Sequence, residues 1–361
     1  MDKTAAEIKR EKYFSPRNVA IRKIAKRYEW TWNCIGIQIA ISQILSTILL
    51  LAIMAMKVLE AKDSGGDILG ALDTSLVIDY TIPIAAVCYI VANTLAAFIA
   101  LKVTKAARFR DYLHKPKISA GVLILAVFAT LGISNLDSII MNFFSSIFSA
   151  SNDQITESIS SGLFSDNTVL VIMSIAYIAV IGPFLEELLC RGAILTLGGH
   201  ISPKFGIFAS AFIFGVFHLN ISQFFNAFIL GLILGYITYK SKSIIPSTIM
   251  HIVNNSTAVI QMYLAEKVSE ELYTTISAIF ILASIVIGII ALILLILYYK
   301  KNNNEENQGA IIVNKPLPDD EVAELGLNRN ELTANMFFTR WSFFVVFGFF
   351  ILMCVYSYML V

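Results

Sequence analysis

The sequence predicts an all-α fold: a polytopic membrane helical bundle of about nine transmembrane helices, with its N-terminus in the cytoplasm. Three observations predict it. Hydrophobic residues fill 57% of the 361 positions and charged residues only 15%, whereas charged residues make up about 25% of a soluble domain; mean hydropathy is +0.73. Apolar runs of about twenty residues, enough to cross roughly 30 Å of hydrocarbon as a helix, recur along the whole chain. The remaining charges alternate in sign from one inter-run loop to the next. A net charge of +1 carries no message by itself, but this distribution does.

Taken in order, residues 1–29 form a basic cytoplasmic segment with Lys3, Lys9, Arg10, Lys12, Arg17, Arg22, Lys23, Lys26 and Arg27. No cleavable leader is expected, because the first apolar run is long enough to remain as a span. The nine runs fall near 31–56, 80–103, 118–134, 169–195, 204–219, 223–239, 243–263, 272–299 and 341–360. Lysine and arginine mark cytoplasmic loops. Lys105, Arg108, Arg110, Lys115 and Lys117 belong to one such loop; Lys204, Lys240, Lys242, Lys300, Lys301 and Arg340 fall on the same side if every run spans. The opposite loops are acidic, with Asp63, Asp67, Asp73 and Asp79, then Asp137, Asp153, Glu157 and Asp166, then Glu266, Glu270 and Glu271.

These elements divide the chain into the N-terminal segment, an eight-span membrane domain over 30–299, a flexible cytoplasmic linker over 300–340, and an additional transmembrane helix over 341–361. Within the loop at 135–168, "SIIMNFFSSIF" reads as a helix lying along the outer interface. The polar, Pro-containing stretch after residue 300 reads as a tether. Cys34, Cys88, Cys190 and Cys354 show neither metal-ligand spacing nor a disulfide framework and read as small buried hydrophobes.

Ionisable groups at membrane depth cost at least about 2.5–3.5 kcal/mol each and normally face a cavity, a partner or a substrate. Inside the spans they reduce to Glu186, Glu187, Arg191, His218 and His251; His114 and His200 belong to loops. Glu187 and Arg191 are four apart and can pair on one helix face. Glu186 is rotated by about 100° and is less neutralised. Gly182-Pro183, one turn earlier, invites a kink that opens room beside the carboxylates. Taken singly, each feature has a plain structural reading. The Glu–Arg pair is a clasp, His218 on the face of Phe214 is a packing residue, and His251 with Asn255 is an interhelical hydrogen-bonding pair. Together they place one carboxylate, two imidazoles and an amide at compatible depth on three spans, with Ala211/Gly215 and Gly231/Gly235 allowing close helix approach.

That set suits hydrolysis with water as the nucleophile. A carboxylate acts as general base, a histidine shares or orients the proton, and a second histidine and an asparagine donate to the oxyanion. No metal is required by this scheme, although Glu186, His218 and His251 are also a possible zinc set. "EELLCR" is not H-E-x-x-H.

At this point the motifs resemble a known family. "EELLCRG" (Glu186, Glu187, Arg191, Gly192), "FGVFH" (Phe214, His218) and "HIVNN" (His251, Asn255) are similar, in order and spacing, to E-E-x-x-x-R-G, F-x-x-x-H and H-x-x-x-N. These are the motifs of the CAAX protease and bacteriocin-processing (Abi) family of intramembrane proteases. The resemblance covers about 118–265. It implies that Glu186 and His218 activate water, that His251 and Asn255 hold the oxyanion, and that Glu187 and Arg191 support the site. Cys190 stands where an aromatic commonly precedes the arginine. The expected function is an intramembrane endopeptidase acting on a peptide or membrane-tethered protein. The alternative is a catalytically silent scaffold or a bacteriocin self-immunity protein. Expected partners are that substrate and the lipid bilayer of a bacterial plasma membrane, and no nucleic acid. A transporter fits less well, since no paired repeats or interrupted helices occur in corresponding positions.

Overall fold

The computed structural model describes residues 4–65, 81–104, 109–145, 163–164, 167–199, 201–302 and 319–359. Among them every regular element is helical. In chain order these are α1 (Ala5–Phe14), α2 (Pro16–Asp63), α3 (Thr81–Thr104), α4 (Ala120–Ser145), α5 (Thr168–Gly198), α6 (Pro203–Phe217), α7 (Ile221–Ser241), α8 (Ile245–Lys267), α9 (Glu270–Lys301), α10 (Asp319–Glu324), α11 (Glu331–Phe338) and α12 (Trp341–Met359). The helices start where side-chain caps allow. Thr4 forms a capping box with Glu7, Ser15 precedes Pro16, and Ser202 precedes Pro203.

Six of these helices are long and apolar enough to cross a membrane: α2, α3, α4, α5, α7 and α9. Taking α11 and α12 as one span bent by 55° gives seven. Among the described residues, length and hydropathy therefore support six to seven of the nine expected crossings. The two remaining runs are helices of a different kind. α6 has 15 residues, a rise of about 22 Å against about 30 Å of hydrocarbon, and α8 is diluted by the polar sequence "HIVNNST".

The loops expected on one side do gather at one end of the bundle. Arg17 donates to the carbonyl of Leu325, and Lys117 N–H donates to the Ser241 carbonyl at 2.8 Å. Ile244 N–H donates to Tyr112 O at 3.1 Å, and Arg329 Nη1 donates to Ile201 O at 2.8 Å. The core beneath this end is aromatic: Trp32 and Phe337 have ring centroids 4.9 Å apart, and Tyr28 meets Phe205 and Phe337 edge-on.

Three readings change. "SIIMNFFSSIF" is not a separate interfacial helix in its described part, because residues 138–145 continue α4. Asp137 is not a loop acid; it lies within α4 and is buried. Finally, residues 319–340 are not free tether. Val322, Leu325, Leu332 and Phe337 are buried there, and the Phe337 carbonyl accepts from Trp32 Nε1 at 3.2 Å. These apolar residues lie within a polar stretch, so composition averaged over the segment conceals them. The acidic stretches 66–80 and 146–162, and His200, lie outside the described residues.

Candidate active site

The candidate residues sit on α5, on the α6–α7 turn and on α8. α5 is continuous through Gly182-Pro183 instead of breaking there, because π-helical turns occupy Tyr177–Ile181 and Leu188–Ile194. Proline has no N–H to give its fourth-preceding carbonyl. The wider turn absorbs that defect, with Gly182 N–H reaching back to Tyr177 O. Such single wide turns concentrate at functional sites. Here their carbonyls meet side chains: Asn255 Nδ2 donates to Ile178 O at 3.1 Å, and Ser210 Oγ donates to Cys190 O at 2.8 Å.

Glu187 and Arg191 form the expected pair, with Arg191 Nη1 3.0 Å from Glu187 Oε1 and both side chains fully buried. His251 Nδ1 lies 3.1 Å from the same oxygen. A carboxylate oxygen only accepts, so Nδ1 carries the hydrogen and Nε2 is the atom left to work. Nε2 faces Glu186, whose Oε2 is 3.7 Å away. Glu186 keeps 15% of its side chain exposed while Glu187 keeps none. The two adjacent carboxylates thus differ in kind: one is locked into a salt bridge and the other is open.

His218 ends α6. The helix stops there because Leu219 takes a positive φ of 54°, a conformation that costs an L-residue roughly 1–2 kcal/mol. His218 Nδ1 contacts the Phe214 carbonyl at 2.8 Å. A carbonyl only accepts, so Nδ1 again carries the hydrogen and Nε2 has its lone pair free. Asn220 then starts α7, its Oδ1 accepting from Gln223 N–H at 3.1 Å. The residues flanking this turn, His218 and Gln223, line a cavity.

A cavity of about 210 Å³ is lined by Glu186, His218, His251 and Asn255, together with Phe214, Gln223, Asn226, Ala227, Leu230 and Asn254. Phe214 ties these groups together: Arg191 Cζ lies 4.3 Å over its ring as a cation–π pair, and the rings of His218 and His251 stand edge-on to it at 5.0 and 5.6 Å. Close packing holds this together: a Cβ on Gly231 would lie 2.9 Å from Ala211 Cα, and one on Gly215 would meet the Phe224 ring at 2.7 Å.

The fold therefore gathers Glu186, His218, His251 and Asn255 around one cavity, with Glu187 and Arg191 behind them. Sequence reasoning missed Gln223, Asn226 and Asn254 as lining residues, and Asp137, whose carboxylate bonds to Asn226. The i, i+3 amides at the head of the apolar α7 run were the available signal. Among the described residues no group of three His, Cys, Asp or Glu side chains is arranged to hold a metal ion.

Residues 168–257 match the family model of the type II CAAX prenyl endopeptidase Rce1-like proteins. No curated protein and no solved structure matches the chain. The matched stretch contains all three motifs, so the segment from α5 into α8 is similar to the Rce1-like CAAX endopeptidases, within a chain whose helices are long and apolar enough to cross a membrane.

Proposed function

We propose that this protein is an intramembrane endopeptidase that hydrolyses a peptide bond with a water activated by Glu186 and His218. The family match supports an intramembrane endopeptidase in general terms. The observation that carries the finer reading is the shared cavity, with Glu186 Oε2 3.7 Å from His251 Nε2. Water held between Glu186 and His218 gives one proton to the Glu186 carboxylate as its oxygen attacks the scissile carbonyl carbon. The free Nε2 of His218 accepts the second hydrogen of that water and so orients it.

The oxyanion that forms is met by the second N–H of Asn255, the first being spent on Ile178 O. It is also met by Nε2 of His251 when that nitrogen carries a proton. Glu186 then passes its proton to the leaving amine, which restores the carboxylate. Glu187, already paired with Arg191, is not free to act as base but fixes the His251 ring.

The test is a purified full-length protein assayed against a quenched-fluorescent library of apolar peptides. Glu186→Ala and His218→Ala are each expected to reduce turnover by about 10²–10⁴-fold, and Asn255→Ala by about 10²-fold. Turnover undiminished by the first two substitutions rejects the mechanism.

A further inference from the structure

The cavity offers more hydrogen-bonding capacity than water activation uses. Gln223 and Asn226 on α7 and Asn254 on α8 line it without a part in the steps above. Gln223, Asn226, Ala227 and Leu230 follow helical spacing and form one wall. Asn226 is engaged by Asp137 of α4, a carboxylate only 4% exposed with Oδ2 lacking any partner. When ionised, Asp137 accepts from the NH₂ end of Asn226 and so sets the orientation of that amide.

Each carboxamide carries a donor and an acceptor, as a peptide unit does. Proteins that bind extended chains commonly supply these groups from a sheet edge. Every regular element among the described residues is a helix, with its own N–H and C=O groups paired internally. No lysine or arginine lines the cavity, and Glu186 repels anions, so a ligand presenting a carboxylate or phosphate is disfavoured there.

We propose that Gln223, Asn226 and Asn254 bind the main chain of an extended, uncharged polypeptide segment and lay it across Glu186, His218 and His251. Asp137 positions Asn226 for this task. The assignment rests on the protease reading and names its substrate class: an internal stretch of unfolded chain, held through its backbone rather than through a terminal charge.

The probe is a short peptide of Leu, Val and Ala, N-acetylated and C-amidated, binding to the full-length Glu186→Gln protein in detergent. It is compared with analogues in which single amides become esters, each losing one N–H without added bulk, and with the same peptide bearing a free carboxylate. The capped peptide is expected to bind, with esters at two or three positions weakening it about 3–10-fold each. Gln223→Leu or Asn226→Leu should erase one of those penalties while leaving circular dichroism unchanged. Asp137→Asn should shrink the penalty belonging to Asn226 alone, a pattern that a merely structural loss does not produce. The proposal is overturned if the capped peptide fails to bind, if the free carboxylate binds better, or if ester penalties are absent or unchanged in both Leu variants. Main-chain-selective binding without cleavage by the wild type would instead sink the protease reading and leave this one standing.

Discussion

Glu186 and Glu187 are chemically identical neighbours with opposite burdens. Glu187 is sealed between Arg191 and His251, and removing one partner of a buried ion pair typically costs about 3–5 kcal/mol because the other charge is stranded. Glu187→Ala is therefore expected to lower the thermal midpoint strongly in detergent. Glu186→Ala, whose carboxylate opens to the cavity, should leave it nearly unchanged while turnover collapses. The reverse pattern in paired melting and activity measurements would refute this division. The pairing of Glu187 with Arg191 was legible from four-residue spacing. The coupling of both carboxylates to His251 was not, because residues 64 positions apart meet only after α5 and α8 pack.

At the level of elements, the π turn at Tyr177–Ile181 is the device that lets a proline-containing helix continue and still present Ile178 O to Asn255. Deleting Val180 should return this turn to α geometry and rotate the preceding helix by about 100° relative to Glu186. Turnover is then expected to fall with little change in helical circular dichroism, whereas full activity would show that the register is immaterial. A second crossing lies where α4 meets α9. A Cβ on Gly132 would sit 2.5 Å from Ser284 O and 2.6 Å from Gly288 Cα. Gly132→Ala should destabilise by at least about 1–3 kcal/mol through overpacking, read as a lowered melting temperature. The Gly-Pro defect was visible in the sequence; its resolution by a wider turn was not, since a kink and a π turn satisfy the same local rule.

Across the whole molecule, the C-terminal segment folds back as a clasp on the aromatic end of the bundle. Arg17 bonds to Leu325, Arg329 to Ile201 and Trp32 to Phe337. Phe337 is fully buried, so Phe337→Ala should cost about 3–5 kcal/mol and shift tryptophan emission to longer wavelength as Trp32 meets solvent. Unchanged melting and emission would mean that the clasp is loose. The loop-charge pattern predicts that this end faces the cytoplasm. A reporter enzyme active only outside the membrane is therefore expected to be silent when fused to the N-terminus, and its activity there would invert the assignment.

Class, helical runs and the three motifs followed from the sequence alone, because a bilayer forces each crossing segment to satisfy its backbone internally and to show an apolar surface. Where those runs begin, end and bend as helices followed only from the tertiary structure, since caps, π turns and packing against neighbours set helix ends. The same holds for the cavity and its ring of carboxamides. A side chain's partner across a helix interface depends on rotation, tilt and a single inserted residue, none of which is encoded locally.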